Sequence, residues 1–127
     1  MQFEHYALNV PDPRAMADWY VEHCQMRVVV ALDGPLYTRF LADATDRVVM
    51  ELYCNEAAAV PDYSAQHPLI FHHAMKVDDV DAATEALLAA GATRFEELKF
   101  DDGTRLMMLR DPWGVPLQLC KRAHDLV

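Results

Sequence analysis

The sequence predicts an α+β fold in which one βαβββ module is used twice. Two observations carry this: runs with strand-like alternation enclose two stretches of helical spacing, and a constant offset of 67 residues lays one half of the chain on the other.

The first half opens with FEHYALNV (3–10), which alternates as a strand. In PDPRAMADWYVEHC, Asp12 is placed to cap a helix and Pro13 to begin it, with Met16, Trp19, Tyr20 and His23 at helical spacing. Three β-type runs follow at 27–32, 36–41 and 47–54, separated by Asp33-Gly34-Pro35 and Asp43-Ala44-Thr45-Asp46 as turns. Residues 57–68 have neither period and read as a linker. The order then repeats. LIFHHAMKV (69–77) reads as a strand, and DVDAATEALLAAG (79–91) as a helix capped by Asp79 and stopped by Gly91. Runs at 93–100, 104–110 and 114–122 complete it as strands.

Under the 67-residue offset His5 meets His72, Ala7 meets Ala74, Val10 meets Val77 and Asp12 meets Asp79. The alignment persists to the last strand of each half, where Leu52 meets Leu119 and Glu51 meets Gln118. An offset that survives a strand, a helix and a final strand marks a duplicated module.

At 127 residues the chain is expected to be one domain, 1–127, with module one over about 1–56, a linker over about 57–68 and module two over about 69–122. The formal net charge of −9 argues against nucleic acid or an anionic membrane as the main partner. No apolar run approaches a membrane span and the N-terminus lacks a signal pattern, so a cytoplasmic location is expected. Cys24, Cys54 and Cys120 are an odd number without CxxC spacing and suit reduced thiols.

Strand parity sorts the polar residues. In RVVMELYC, Val49, Glu51 and Tyr53 share a face opposite Val48, Met50, Leu52 and Cys54. In the last strand Pro116, Gln118 and Cys120 oppose Val115, Leu117 and Leu119. His5 shares a face with Ala7, and His72 with Ala74. The aliphatic faces should lie under the helices, which leaves His5, Glu51, His72 and Gln118 on the other. A pseudo-twofold relation between the halves would gather these four on one concave surface. Imidazole, carboxylate and amide oxygen all ligate divalent transition metals, and a metal would satisfy the charge of Glu51 inside an apolar strand. Tyr53 and Cys120 fall on the same face as pocket-lining candidates, while His73, Trp19 and Tyr20 read as packing residues. His23, His67 and His124 read as surface residues, and Arg39 and Lys76 as rim cations.

The segments EHYALNVPDPRAMADWY, HHAMKVDDVDAATEALLAAGA and RDPWGVPLQL resemble the vicinal oxygen chelate superfamily of glyoxalases, bleomycin resistance proteins and extradiol dioxygenases. The resemblance implies an open, U-shaped, eight-stranded mixed sheet around a central pocket. It implies a divalent ion (Zn, Ni, Co, Mn or Fe) held by His5, Glu51, His72 and Gln118. It also implies a small oxygen-chelating substrate and a homodimer. The last-strand ligand of such proteins is usually Glu; here it is Gln118, which has no titratable proton, so Glu51 is the candidate catalytic base. A glyoxalase- or epimerase-like lyase or isomerase is therefore expected. The alternatives are an Fe(II) extradiol dioxygenase and a metal-free protein that binds a drug-like molecule and confers resistance.

Overall fold

Asp12 and Asp79, 67 residues apart in the sequence, each cap the helix that follows. In the computed structural model, which describes residues 1–127, an Asp12 oxygen accepts from the backbone N–H groups of Arg14 and Ala15, both at 3.1 Å. Asp79 accepts from Ala82 N–H at 3.0 Å. Each carboxylate satisfies donors left over at the helix start and faces the positive end of the helix dipole. Helix α1 (Pro13–Cys24) ends at Gln25, whose φ of 57° is left-handed. Helix α2 (Val80–Ala89) is followed by Gly91 at φ +100°, a conformation that favours glycine.

The chain divides into two units, Met1–Pro61 and Asp62–Val127. The first contains strands β1 (Tyr6–Asn9), β2 (Arg27–Ala31), β3 (Arg39–Ala42) and β4 (Val48–Tyr53), in the order β1-β4-β3-β2. The second contains β5 (His73–Lys76), β6 (Thr93–Lys99), β7 (Arg105–Arg110) and β8 (Pro116–Lys121), in the order β5-β8-β7-β6. The eight expected strands are thus present as two open four-stranded mixed sheets. In each, the first and last strands pair in parallel and the other pairings are antiparallel. No helix is long and apolar enough to cross a membrane.

The repeat holds in the pairing register. Ala7 lies opposite Glu51 and Leu8 opposite Leu52; Ala74 lies opposite Gln118 and Met75 opposite Leu119. Both pairs of strands keep the offset of 67 that the sequence carries. The neighbouring strand is displaced by one residue, so Phe40 faces Glu51 where Met108 faces Gln118.

Helix α1 packs on β2, β3 and β4, and α2 on β7 and β8. Under α1, Met16, Tyr20, Leu41, Met50 and Leu52 are fully buried; under α2, Leu87, Met107, Leu109, Leu117 and Leu119 are buried. Each such side chain contributes about 1.5–3 kcal/mol by leaving water. The aliphatic faces read from parity are therefore the helix-covered ones, and Trp19 and Tyr20 belong to this core.

Several strands start later than the sequence suggests: β1 at Tyr6 rather than residue 3, β8 at Pro116 rather than 114, and, more tellingly, β5 and β3. Leu69 and Ile70 read as the start of a strand, yet they sit in a turn closed by Ile70 N–H donating to His67 O at 2.9 Å. They are 82% and 73% exposed, and β5 begins only at His73. Leu36 and Tyr37 likewise precede β3, with Tyr37 in the left-handed region at φ 52°. Apolar content alone misled in both places, because turn geometry overrides β propensity. Residues 57–68 contain a 3-10 turn, Tyr63–Ala65, and residues from Asp62 onward belong to the second unit.

Candidate functional site

In the first unit one row of residues crosses the sheet: Ala7 on β1, Glu51 on β4, Phe40 on β3 and Val30 on β2. Ala7 leaves space beside Glu51, and His5, two residues earlier, fills it. His5 Nε2 stands 3.1 Å from Glu51 Oε2, with the two side chains 27% and 19% exposed. The ring of Phe40 meets the His5 ring edge-on at 5.3 Å, and the Glu4 carboxylate contacts His5 Nδ1. Glu51 is therefore a half-buried carboxylate with an imidazole partner rather than an isolated charge.

The corresponding row in the second unit is Ala74 on β5, Gln118 on β8, Met108 on β7 and Glu96 on β6. His72 directly precedes β5, as His5 precedes β1. Its Nδ1 lies 2.9 Å from Pro68 O. A carbonyl can only accept, so Nδ1 carries the proton and the Nε2 of the neutral ring has the lone pair. Gln118 Oε1 accepts from the Cys120 thiol at 3.2 Å. Burial pushes the Cys120 pKa up, with Arg122 opposing, so the thiol stays a hydrogen-bond donor.

The donor set fits a divalent ion in the first unit. Two ligand atoms bound at about 2.1 Å and at roughly right-angle to tetrahedral geometry are about 3.0–3.4 Å apart. The His5–Glu51 separation falls in that range. Without an ion the same distance is an ion-pair contact, charged on the histidine side only when the ring is protonated. In both histidines Nδ1 faces an oxygen acceptor, Glu4 or Pro68, which fixes ring orientation and leaves Nε2 for coordination. Within neither unit do three His, Cys, Asp or Glu side chains cluster as a metal site. The structure thus brings His5 to Glu51, while His72 and Gln118 are held by Pro68 and Cys120.

A small hollow of about 50 Å³ adjoins Gln118, walled by Met108, Leu106, Leu98, Phe95 and Leu69, with Glu96 and His67 at its polar side. His67, read as a surface residue, helps line it. A larger recess of about 320 Å³ lies around Thr93, Arg110, Trp113 and Gly114 and includes none of the candidate ligands.

The remaining sequence candidates are accounted for. Tyr53 is half-buried on β4, two residues from Glu51 on the same face, and Cys120 is buried on β8. His73 is buried on the opposite face of β5, where burial and then neighbouring His72 push its pKa down to about 4. Arg39 Nη1 donates to the carbonyls of Leu32, Tyr37 and Thr38, and Lys76 pairs with Asp125 at 2.5 Å. Both rim cations are engaged within the chain. Phe40 and Glu96 escaped the sequence reading because strand register decides what stands beside Glu51 and Gln118, and register is not visible in one chain.

A family model described as the Glyoxalase/Bleomycin resistance protein/Dioxygenase superfamily matches residues 2–119. The chain belongs to this superfamily. No curated protein sequence matches it. Among solved structures of the superfamily fold, SMU.1112c is 25% identical with a TM-score of 0.72, over 95% of this chain and 98% of that one. Glyoxalase I from Zea mays is 24% identical with a TM-score of 0.75 over 98% of this chain; the chain spans only 46% of that enzyme. The antibiotic-binding protein TnmS3 from Streptomyces sp. CB03234 is 18% identical, with a TM-score of 0.67 and 94% of each chain covered. Proteins of this fold therefore include both an enzyme and an antibiotic-binding protein.

Proposed function

We propose that the protein is a metal-dependent enzyme of the superfamily, a glyoxalase- or epimerase-like lyase or isomerase acting on a small oxygen-chelating substrate. The two units would act as one domain, and His5, Glu51, His72 and Gln118 would supply the ligands of one divalent ion. The observation that carries this reading is the His5–Glu51 pair at 3.1 Å, at ligand-to-ligand spacing. It is supported by the register that puts His72 and Gln118 at the same places in the repeat. A bound divalent ion would serve as a Lewis acid toward a substrate oxygen.

The chain's own residues divide the remaining work. Glu51 is the only carboxylate of the set and takes the proton next to the substrate carbonyl. Gln118 contributes an oxygen but cannot exchange a proton, and the Cys120 thiol holds that amide in one orientation. Phe40 braces the His5 ring from the side. The apolar hollow beside Gln118 takes the carbon part of the substrate and keeps water from it.

The deciding measurement is the metal content of protein purified without chelator, together with thermal stability on adding Zn²⁺, Ni²⁺, Co²⁺, Mn²⁺ or Fe²⁺. Bound metal near one per site and a rise in Tm are expected. Less than about a tenth of that with no stabilisation would end the reading. A second reading, a metal-free small-molecule binder, is favoured by that hollow, with its largely apolar walls. It predicts ligand affinity that is indifferent to chelator.

A further inference from the structure

The cation of Arg110, at the end of β7, is spent entirely on backbone. Its Nη1 donates to the carbonyls of Tyr63 and Gly114, each at 3.0 Å, and its Nη2 to that of Gln66 at 2.8 Å. Its guanidinium lies 5.5 Å from the Phe95 ring, and His67 meets the same ring edge-on at 5.5 Å. Gly114 closes the grip: a Cβ there would stand 2.8 Å from Ser64 N, and its φ of +85° favours glycine. Both ends of the Arg110–Gly114 run therefore hold residues 63–66 against the second sheet.

Two residues further on, Pro68 is buried, and its carbonyl accepts from His72 Nδ1 at 2.9 Å. The intervening turn is itself tied, with Leu69 N–H on His67 Nδ1 at 3.1 Å and Ile70 N–H on His67 O at 2.9 Å. Arg110 thus holds Gln66 by a hydrogen bond, the chain runs covalently from Gln66 through His67 to Pro68, and Pro68 holds His72 by a second hydrogen bond.

We infer that Arg110 is a positioning residue that sets the tautomer of His72: by clamping residues 63–66 it holds the Pro68 carbonyl in place to keep the proton on Nδ1 and the lone pair on Nε2. One hydrogen bond of ordinary net strength biases two nearly equal tautomers by about 3- to 10-fold. A shift of the carbonyl by about an ångström removes that bias, since hydrogen bonds weaken steeply with distance and angle. Three carbonyls converging on one planar fork call for arginine, because lysine places a single point charge with free rotation. His5 is oriented by Glu4 in the other unit and does not depend on this clamp.

The test uses metal-free, ¹⁵N-labelled protein at about pH 8.5, where an ordinary imidazole is neutral. Long-range ¹H–¹⁵N correlation reads each tautomer. Wild type should show His72 protonated on Nδ1. Arg110→Ala should shift the His72 ratio about 3- to 10-fold toward Nε2–H and leave His5 unchanged. Arg110→Lys should shift it less, in the same direction, and carries the test if the alanine variant does not fold. An unchanged His72 ratio in the folded variant overturns the inference, as does an equal shift at His5. In a second arm, resting on the metal-binding reading, Zn²⁺ affinity falls about 10- to 100-fold in the same variants. A tautomer shift in a protein that never binds metal would leave the clamp standing and remove the metal reading alone.

Discussion

His5 Nε2 and Glu51 Oε2 are 3.1 Å apart, across a parallel strand pair in which alanine faces the carboxylate. The pair joins the lead-in to β1 with the middle of β4, residues 46 positions apart in sequence. Neither side chain reaches that place by local preference; the strand register puts them there.

If His5 and His72 ligate one ion as proposed, removing either histidine should destroy metal affinity. His5→Ala and His72→Ala should each weaken Zn²⁺ or Ni²⁺ binding by more than about 100-fold, since a lost ligand costs more than the 10–100-fold typical of its supporting partner. Isothermal titration checks this. Full affinity in either variant would dissolve the shared shell.

Glu51 should separate binding from chemistry. Glu51→Gln makes the first unit match the second and keeps an oxygen ligand, so metal is retained with reduced affinity. With any substrate the wild type turns over, kcat should fall about 10²- to 10⁴-fold, the usual contribution of a general base. Gln118→Glu should do the reverse for affinity, tightening it by adding a charge. Turnover by Glu51→Gln at the wild-type rate would assign the base elsewhere.

The matched core positions should behave alike. Leu52→Ala and Leu119→Ala each empty a fully buried site beneath a helix and should cost about 2–5 kcal/mol. Asp12→Ala and Asp79→Ala should cost about 1 kcal/mol each through lost capping. Urea unfolding of the metal-free protein measures both. A leucine variant within about 0.5 kcal/mol of wild type would contradict the packing described.

His73 gives the fold an acid limit. Its folded pKa of about 4 lies below the 6.5 of an ordinary imidazole, so the unfolded chain takes up the proton more readily. The stability this neutral imidazole allows is complete above about pH 6.5 and declines as pH falls toward about 4. At most about 3 kcal/mol is at stake over that interval. His73→Leu should flatten this part of the stability–pH curve in metal-free protein. An unchanged slope would show that His73 is not its source.

Much of this was legible in the sequence because duplication makes a chain its own comparison. The 67-residue offset identified the two modules, the paired caps at Asp12 and Asp79, and the equivalence of Glu51 and Gln118. Parity identified the helix-covered faces from Met50, Leu52, Leu117 and Leu119. What stayed hidden depended on three-dimensional closure. Leu69 and Ile70 are apolar enough for a strand and were lost to a turn. Arg110 stood in a quoted motif without a role, since its partners are carbonyls, which every residue possesses. Phe40 and Glu96 required the register of strands one and two places away.

The two crossing rows differ in where they keep their negative charge. Val30–Phe40–Glu51–Ala7 has its carboxylate on β4. Glu96–Met108–Gln118–Ala74 has given that position to an amide and carries its carboxylate on β6 instead. Two strand spacings, about 9.6 Å, separate Glu96 from Gln118, too far for a common ion and well within the reach of a small molecule. Duplication has thus been followed by divergence in charge placement: one copy keeps its carboxylate in the centre of its sheet at Glu51, and the other has moved it to the edge strand at Glu96.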